Sequence, residues 1–141
     1  MSSLFTSFEE ILKQRGVLIY TNKGKSMFPL IKEGKDVLVI SAQIENIKLF
    51  DVILTKRPSG RYILHRIIKK DKDGTFVICG DNSYKCDMGI KSADIIGKLT
   101  TIIRGNKKNE LNGFFYKMYV YVWCRFFFIR KPVLRLIKIF L

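Results

Sequence analysis

The chain has 141 residues, of which 48% are hydrophobic and 27% charged. That is the size and balance of one globular domain with its own core, and it excludes both a multidomain enzyme and a largely disordered chain. Its 26 Lys and Arg against 12 Asp and Glu give a formal net charge of +14, so an anionic partner, membrane or nucleic acid, is the first class to weigh. The charge is uneven: residues 104–141 carry nine basic residues and one acid, and the 103 residues before them carry 17 and 11. Cys79, Cys86 and Cys124 are odd in number and form no CxxC pair, so reduced thiols are expected, with no disulfide framework, metal site or cofactor.

Residues 1–15 read as a short amphipathic helix. Leu4, Phe5, Phe8, Ile11 and Leu12 recur at helical spacing, and Gly16 follows Lys13 and Arg15 as a stop. The segment lacks a basic start and a long apolar core, and Glu9 and Glu10 fall where a signal peptide would be apolar. From residue 16 to 104 the texture changes to short apolar runs: VLIY, DVLVI, DVILT, RYILHRII, FVIC and IIGKLTTII. Turn chemistry at Arg57-Pro58-Ser59-Gly60 and Asp71-Lys72-Asp73-Gly74 separates some of them. The pattern predicts a mainly β fold, a compact antiparallel β-domain.

Residues 105–110 are polar and basic and read as a linker to an apolar, basic tail over 111–141. The longest uncharged run there, Met118 to Cys124, is well short of the roughly 20 residues that a spanning helix needs. Burying Lys117 and Arg125 in hydrocarbon would cost about 2.5 to 3.5 kcal/mol each. On a helical wheel Lys117, Arg125, Lys131, Arg135 and Lys138 share one arc, Arg130 falls outside it, and most of the Phe, Val, Trp and Ile lie opposite. An interfacial helix on an anionic membrane surface, broken at Pro132, is the expectation. The alternative is a core-facing helix with a solvated basic side. Against it stands the aromatic load, with Trp123, three Tyr and five Phe between Phe114 and Phe128.

The single histidine, His65, lies in a strand whose alternation puts Ile63, His65 and Ile67 on one face. Partial burial and the neighbouring Arg66 cation would both favour the neutral ring, which can accept a proton near pH 7. Its candidate partner is Ser26, in a loop constrained by Gly24 and Pro29, where the hydroxyl can be exposed and a backbone N–H can face a carbonyl. The turn Gly80-Asp81-Asn82-Ser83, with Asp87 six residues beyond Asp81, offers a choice of orienting carboxylates. For Asp81 a purely structural role in capping the turn carries equal weight.

These segments together resemble the type I signal peptidases and the LexA-like self-cleaving repressors. Gly24-x-Ser26-Met27-x-Pro29 looks like the nucleophile box, Asp51-Val52-Ile53 the "GDIV" box, and Leu64-His65-Arg66-Ile67-Ile68 the base-bearing strand. Gly80-Asp81-Asn82-Ser83 looks like the "GDN" box and Asp94-Ile95-Ile96-Gly97-Lys98 the closing strand. The boxes occur in the family's order over residues 16–103. A histidine in this strand is similar to the endoplasmic-reticulum-type signal peptidases. The resemblance implies Ser26 as nucleophile, His65 as general base, and Asp81 or Asp87 as the acid that holds the imidazole.

Phe50 replaces the glycine that usually precedes Asp51. Gly24 stands where many signal peptidases place a second, oxyanion-binding serine, so the hole would rely on backbone N–H groups, that of Ser26 among them. The family's usual transmembrane anchor and the repressors' helix-turn-helix are both missing from the pattern. The implied function is a serine endopeptidase that cleaves signal or leader peptides, peripheral to the cytoplasmic membrane, with no nucleic-acid partner. Its activity would hold at neutral pH and fall below roughly pH 6. The alternative is a non-catalytic or self-processing LexA-like domain that binds a peptide or regulates a partner.

Overall fold

The computed structural model describes residues 7–83 and 85–140, the last as backbone only. Leu4 and Phe5 of the expected N-terminal helix lie outside the described residues. The helix α1 spans Phe8–Arg15. Ser7 caps it by accepting the Glu10 N–H, and Gly16, at φ +75°, closes it by donating to the Leu12 carbonyl at 2.8 Å. Leu12 is buried, and Glu9 binds Lys56 and the Tyr62 hydroxyl, so α1 is fastened to the sheet at both its apolar and its acidic side.

The strands are β1 Val17–Thr21, β2 Val37–Ser41, β3 Val52–Lys56, β4 Tyr62–Lys70, β5 Phe76–Cys79, β6 Asp87–Ile90, β7 Ile95–Arg104 and β8 Lys107–Asn109. All pairings are antiparallel, in the order β1-β2-β7-β3-β4-β5-β6. β7 runs the length of β2 on one edge and shares its other edge between β3 at its start and β8 at its end. The fold is therefore the expected mainly antiparallel β-domain with a short N-terminal helix and C-terminal helices. The six apolar runs are six of the eight strands.

β6 and β8 were not anticipated. β8 falls in the stretch read as a linker, where Gly105, at φ +61°, turns the chain back onto β7.

The sheet buries both faces, as the run of four buried residues in β3 requires. Leu38, Ile40, Val52, Leu54, Leu64 and Leu99 form the larger core, into which Leu12, Met27 and Ile31 also pack. Ile53, Ile67, Ile78, Ile90 and Ile95 form the second. Each such side chain taken from water stabilises the fold by about 1.5–3 kcal/mol.

The tail forms two helices, α2 over Phe114–Arg125 and α3 over Arg130–Phe140, joined by a 3₁₀ turn at Phe127–Ile129. The break thus falls before Pro132, not at it. Pro132 lies in the first turn of α3, where its missing N–H leaves no intrahelical bond unmade. Residues Tyr116, Tyr119, Val120 and Trp123 follow helical spacing and turn inward, as do Arg130 and Leu134. Phe114, Phe115, Met118, Tyr121 and Phe128 point outward, Phe115 at 82% exposure. Lys117, Arg125, Lys131, Arg135 and Lys138 are also exposed. The aromatic residues are therefore divided between the protein interior and a face they share with the basic side chains.

Candidate active site

Met27 is fully buried in the larger core, and this anchor leaves its neighbour Ser26 exposed at the surface of the loop. The loop is tightened by the Phe28 N–H to Lys25 and the Ile31 N–H to Met27. The Phe28–Pro29 peptide bond is cis. Asn82 holds the loop from outside, with its N–H donating to the Ser26 carbonyl at 2.9 Å and its amide Nδ2 to the Lys25 carbonyl at 3.0 Å. The Ser26 N–H makes no hydrogen bond among the described residues and is free to donate. Gly24 has open space around the position of a Cβ.

Gly80 is the junction of the site. A Cβ there would come within 2.4 Å of the Ser26 carbonyl oxygen and 3.1 Å of His65 Nε2, so only glycine fits and the serine backbone and imidazole are near neighbours. His65 is half-buried on β4, paired in register with Ile53 of β3. Its Nδ1 is buried and has no hydrogen-bond partner among the described residues. Burial pushes the imidazole below its ordinary pKa. The charges of Asp87 and then Asp81 pull it back, and Arg57 pushes it down again.

The cation that acts on His65 is therefore Arg57, not the adjacent Arg66. Arg66 turns to the opposite face and is fully buried, with Nε and Nη2 each 2.9 Å from a carboxylate oxygen of Asp81. Its Nη1 donates to the Phe50 carbonyl and the Tyr116 hydroxyl. This bidentate pair holds Arg66 charged and ties β4 to the turn at residues 80–83.

Asp81 is thus spent on structure. Its Oδ2 also accepts the Tyr119 hydroxyl at 2.6 Å, and its main-chain oxygen accepts the Trp123 indole N–H at 2.7 Å. Asp87 opens β6 opposite Ile78 and is half-buried. It makes no hydrogen bond to His65 among the described residues, but it is the principal negative charge acting on the ring. Of the two candidate acids, Asp81 is engaged by Arg66 and Tyr119, and neither carboxylate hydrogen-bonds His65 among the described residues.

The tail reaches this centre as well. Arg130 is 0% exposed, and it donates from Nε to the Trp123 carbonyl at 3.0 Å and from Nη1 to the carbonyls of Gly80 and Ser83 at 3.2 Å each. Its guanidinium lies 4.1 Å from the centre of the Phe127 ring. The Cys79 thiol, pushed up to about 12 by burial, donates to the Ser83 and Lys85 carbonyls. Gly80, Asn82, Trp123 and Arg130 carry this geometry; the sequence marks the first two as turn residues, Trp123 as part of the aromatic load and Arg130 as the residue off the basic arc, and it assigns none of them a place at this centre.

His65 and the segment before it offer a second feature. Tyr62 to His65 pair with β3 on one side, whereas the pairing of β4 with β5 starts only at Arg66, opposite Cys79, the last residue of β5. No strand pairs with the other backbone edge of residues 62–65 among the described residues.

No family model, curated protein or solved structure matches the chain. Among the described residues no helix is long and apolar enough to cross a membrane.

Proposed function

We propose that this protein is a membrane-surface serine endopeptidase, similar to the histidine-type signal peptidases, that cuts signal or leader peptides. The observation that carries the reading is the close approach at Gly80, where a Cβ would lie 2.4 Å from the Ser26 carbonyl oxygen and 3.1 Å from His65 Nε2, so that the serine loop and the imidazole are neighbours. A peptide extended along the unpaired edge of residues 62–65 would present its carbonyl there. Ser26 Oγ attacks the carbonyl carbon as His65 takes the hydroxyl proton, and the free Ser26 N–H faces the oxyanion. The imidazolium returns its proton to the leaving amine, and water, activated by the same ring, releases the acyl group.

Labelling with a serine-directed reagent tests this reading. Wild-type protein should be modified at Ser26 and lose its cleavage of peptide substrates, and Ser26→Ala and His65→Ala should be inactive while melting normally. Either variant cutting at the wild-type rate would sink the assignment.

The membrane partner is supported by the outward aromatic and basic residues of α2 and α3. Co-sedimentation with anionic vesicles should weaken when Phe114, Phe115 and Phe128 are replaced by Ser. Deleting the tail is a poor control, because α2 and α3 also hold the site. A second reading, a LexA-like domain that binds peptides without cutting them, draws on the unpartnered His65 Nδ1. It predicts peptide binding with no acyl-enzyme.

A further inference from the structure

We infer that the hollow beside Ser26 is a subsite for an acidic side chain of the peptide substrate, which makes this a peptidase selective for anionic sequences. The inference rests on the peptidase reading above. The hollow has a volume of about 670 Å³ and is lined by Lys25, Lys32, Lys35 and Lys138, with Glu33 as the one acid. None of the four amines forms an ion pair among the described residues. Phe28 and Ile31 supply an apolar wall.

Four like charges around one concavity repel one another, and the low-dielectric wall strengthens the field they make. α3 brings Lys138 to this cluster from more than a hundred positions away in sequence, so the docking of the tail adds to the repulsion. A carboxylate entering the hollow would relieve it.

The position indicates what carries that carboxylate. Lys25 precedes the nucleophile, and Asn82, which also lines the hollow, holds the carbonyls of both Lys25 and Ser26. A group bound here is within a few residues of the scissile bond of any peptide lying at Ser26. Phe114 and Phe115, the most exposed rings of α2, line a different groove with Pro29 and Arg104. An acidic peptide residue is favoured over a lipid headgroup on that ground.

The test uses full-length Ser26→Ala protein and fluorescent peptides of one neutral sequence, with a single Glu or Gln scanned through every position. At one or two positions the Glu peptide should bind about tenfold more tightly than its Gln twin, as a few partly exposed charge pairs allow. The preference should fade as salt is raised. Lys32→Gln/Lys35→Gln/Lys138→Gln should bring the Glu-to-Gln ratio to about one, with an unchanged melting temperature. Equal affinity for every Glu and Gln pair in the parent protein would overturn the inference. So would a triple variant that keeps the preference yet loses its binding to anionic vesicles, which would assign the lysines to lipid. Because binding is read without Ser26, a protein that never cleaves can still display the subsite. A wild-type enzyme that cuts Glu and Gln peptides equally would leave the serine mechanism intact and remove only the selectivity.

Discussion

Arg130 and Gly80 are joined by a hydrogen bond across fifty positions of chain, from the guanidinium Nη1 to the glycine carbonyl at 3.2 Å. Gly80 is also the residue that separates Ser26 from His65. A side chain on the C-terminal helices therefore sets the height of the turn on which the proposed nucleophile and base meet.

Arg130→Lys keeps the charge but cannot span the three carbonyls, so the turn at residues 80–83 should shift. Misplacement by about 1 Å costs on the order of 100-fold in rate. The expected result is a kcat lowered by about that factor with KM within about twofold of wild type, and partial recovery of an Arg130→Ala protein by added guanidinium. Unchanged kcat in the folded fraction would limit Arg130 to a structural role.

Asp81 and Asp87 should separate cleanly when each is changed to Asn. Asp81→Asn leaves the buried Arg66 charge without its carboxylate, which costs about 3–5 kcal/mol and should appear as a large fall in thermal stability. Asp87→Asn breaks no hydrogen bond to His65 and should melt near wild type while its activity at neutral pH falls. Calorimetry beside a peptide-cleavage assay distinguishes them.

The pH profile carries a sign. His65 must be neutral to act as base, and its folded pKa is lowered by burial, so the acid limb of kcat/KM should lie below the ordinary histidine value of about 6.5. Removing the Asp87 charge should move that limb lower still, and Arg57→Gln should move it higher. The same shift costs stability in acid. Below about pH 6.5 the unfolded chain binds a proton that the folded ring resists, so this contribution is lost as pH falls toward the folded pKa.

Phe50 occupies the left-handed region at φ +74°, a conformation that costs a non-glycine residue about 1–2 kcal/mol. It is held there by its N–H to Ile67 and by its carbonyl, which accepts from Arg66. Glycine normally destabilises relative to alanine by roughly 0.4–1 kcal/mol. At this position the order should invert, with Phe50→Gly melting above Phe50→Ala. The turn keeps the shape that a glycine before Asp51 would give it.

The strands that could be read from sequence are those whose apolar runs end at Gly, Pro or Asp. Asp87-Met88-Gly89-Ile90 has no such run, and Lys107-Lys108-Asn109 is fully exposed, held by its backbone pairing to β7. Pro132 was legible as a helix disruptor, but its place in a first turn depends on where α3 begins. The misfit of Arg130 on the wheel was a real signal, since the residue that left the basic arc is the buried one.

In the site, Ser26 and His65 could be picked out by residue type and order. Their environment could not, because it is built from distant partners. The sequence sets Arg66 next to the imidazole, but Asp81, fifteen positions on, engages it from the other face of β4. Likewise an aromatic-rich helix suggests lipid or core equally well. Only packing divides Tyr116, Tyr119 and Trp123, which hold the 80–83 turn and the arginine beneath it, from Phe114, Phe115 and Phe128 outside.

The reach of Arg130 back to Gly80 also fixes an order of events during synthesis. At about 5–20 residues per second, a ribosome makes the 80–83 turn roughly 2.5–10 s before the arginine that holds it. Ser26 and His65 are thus present in the nascent chain while the clamp is still unmade. The turn that brings the Ser26 loop up to His65 is therefore held in full only once the C-terminal helices have been made and have folded against it.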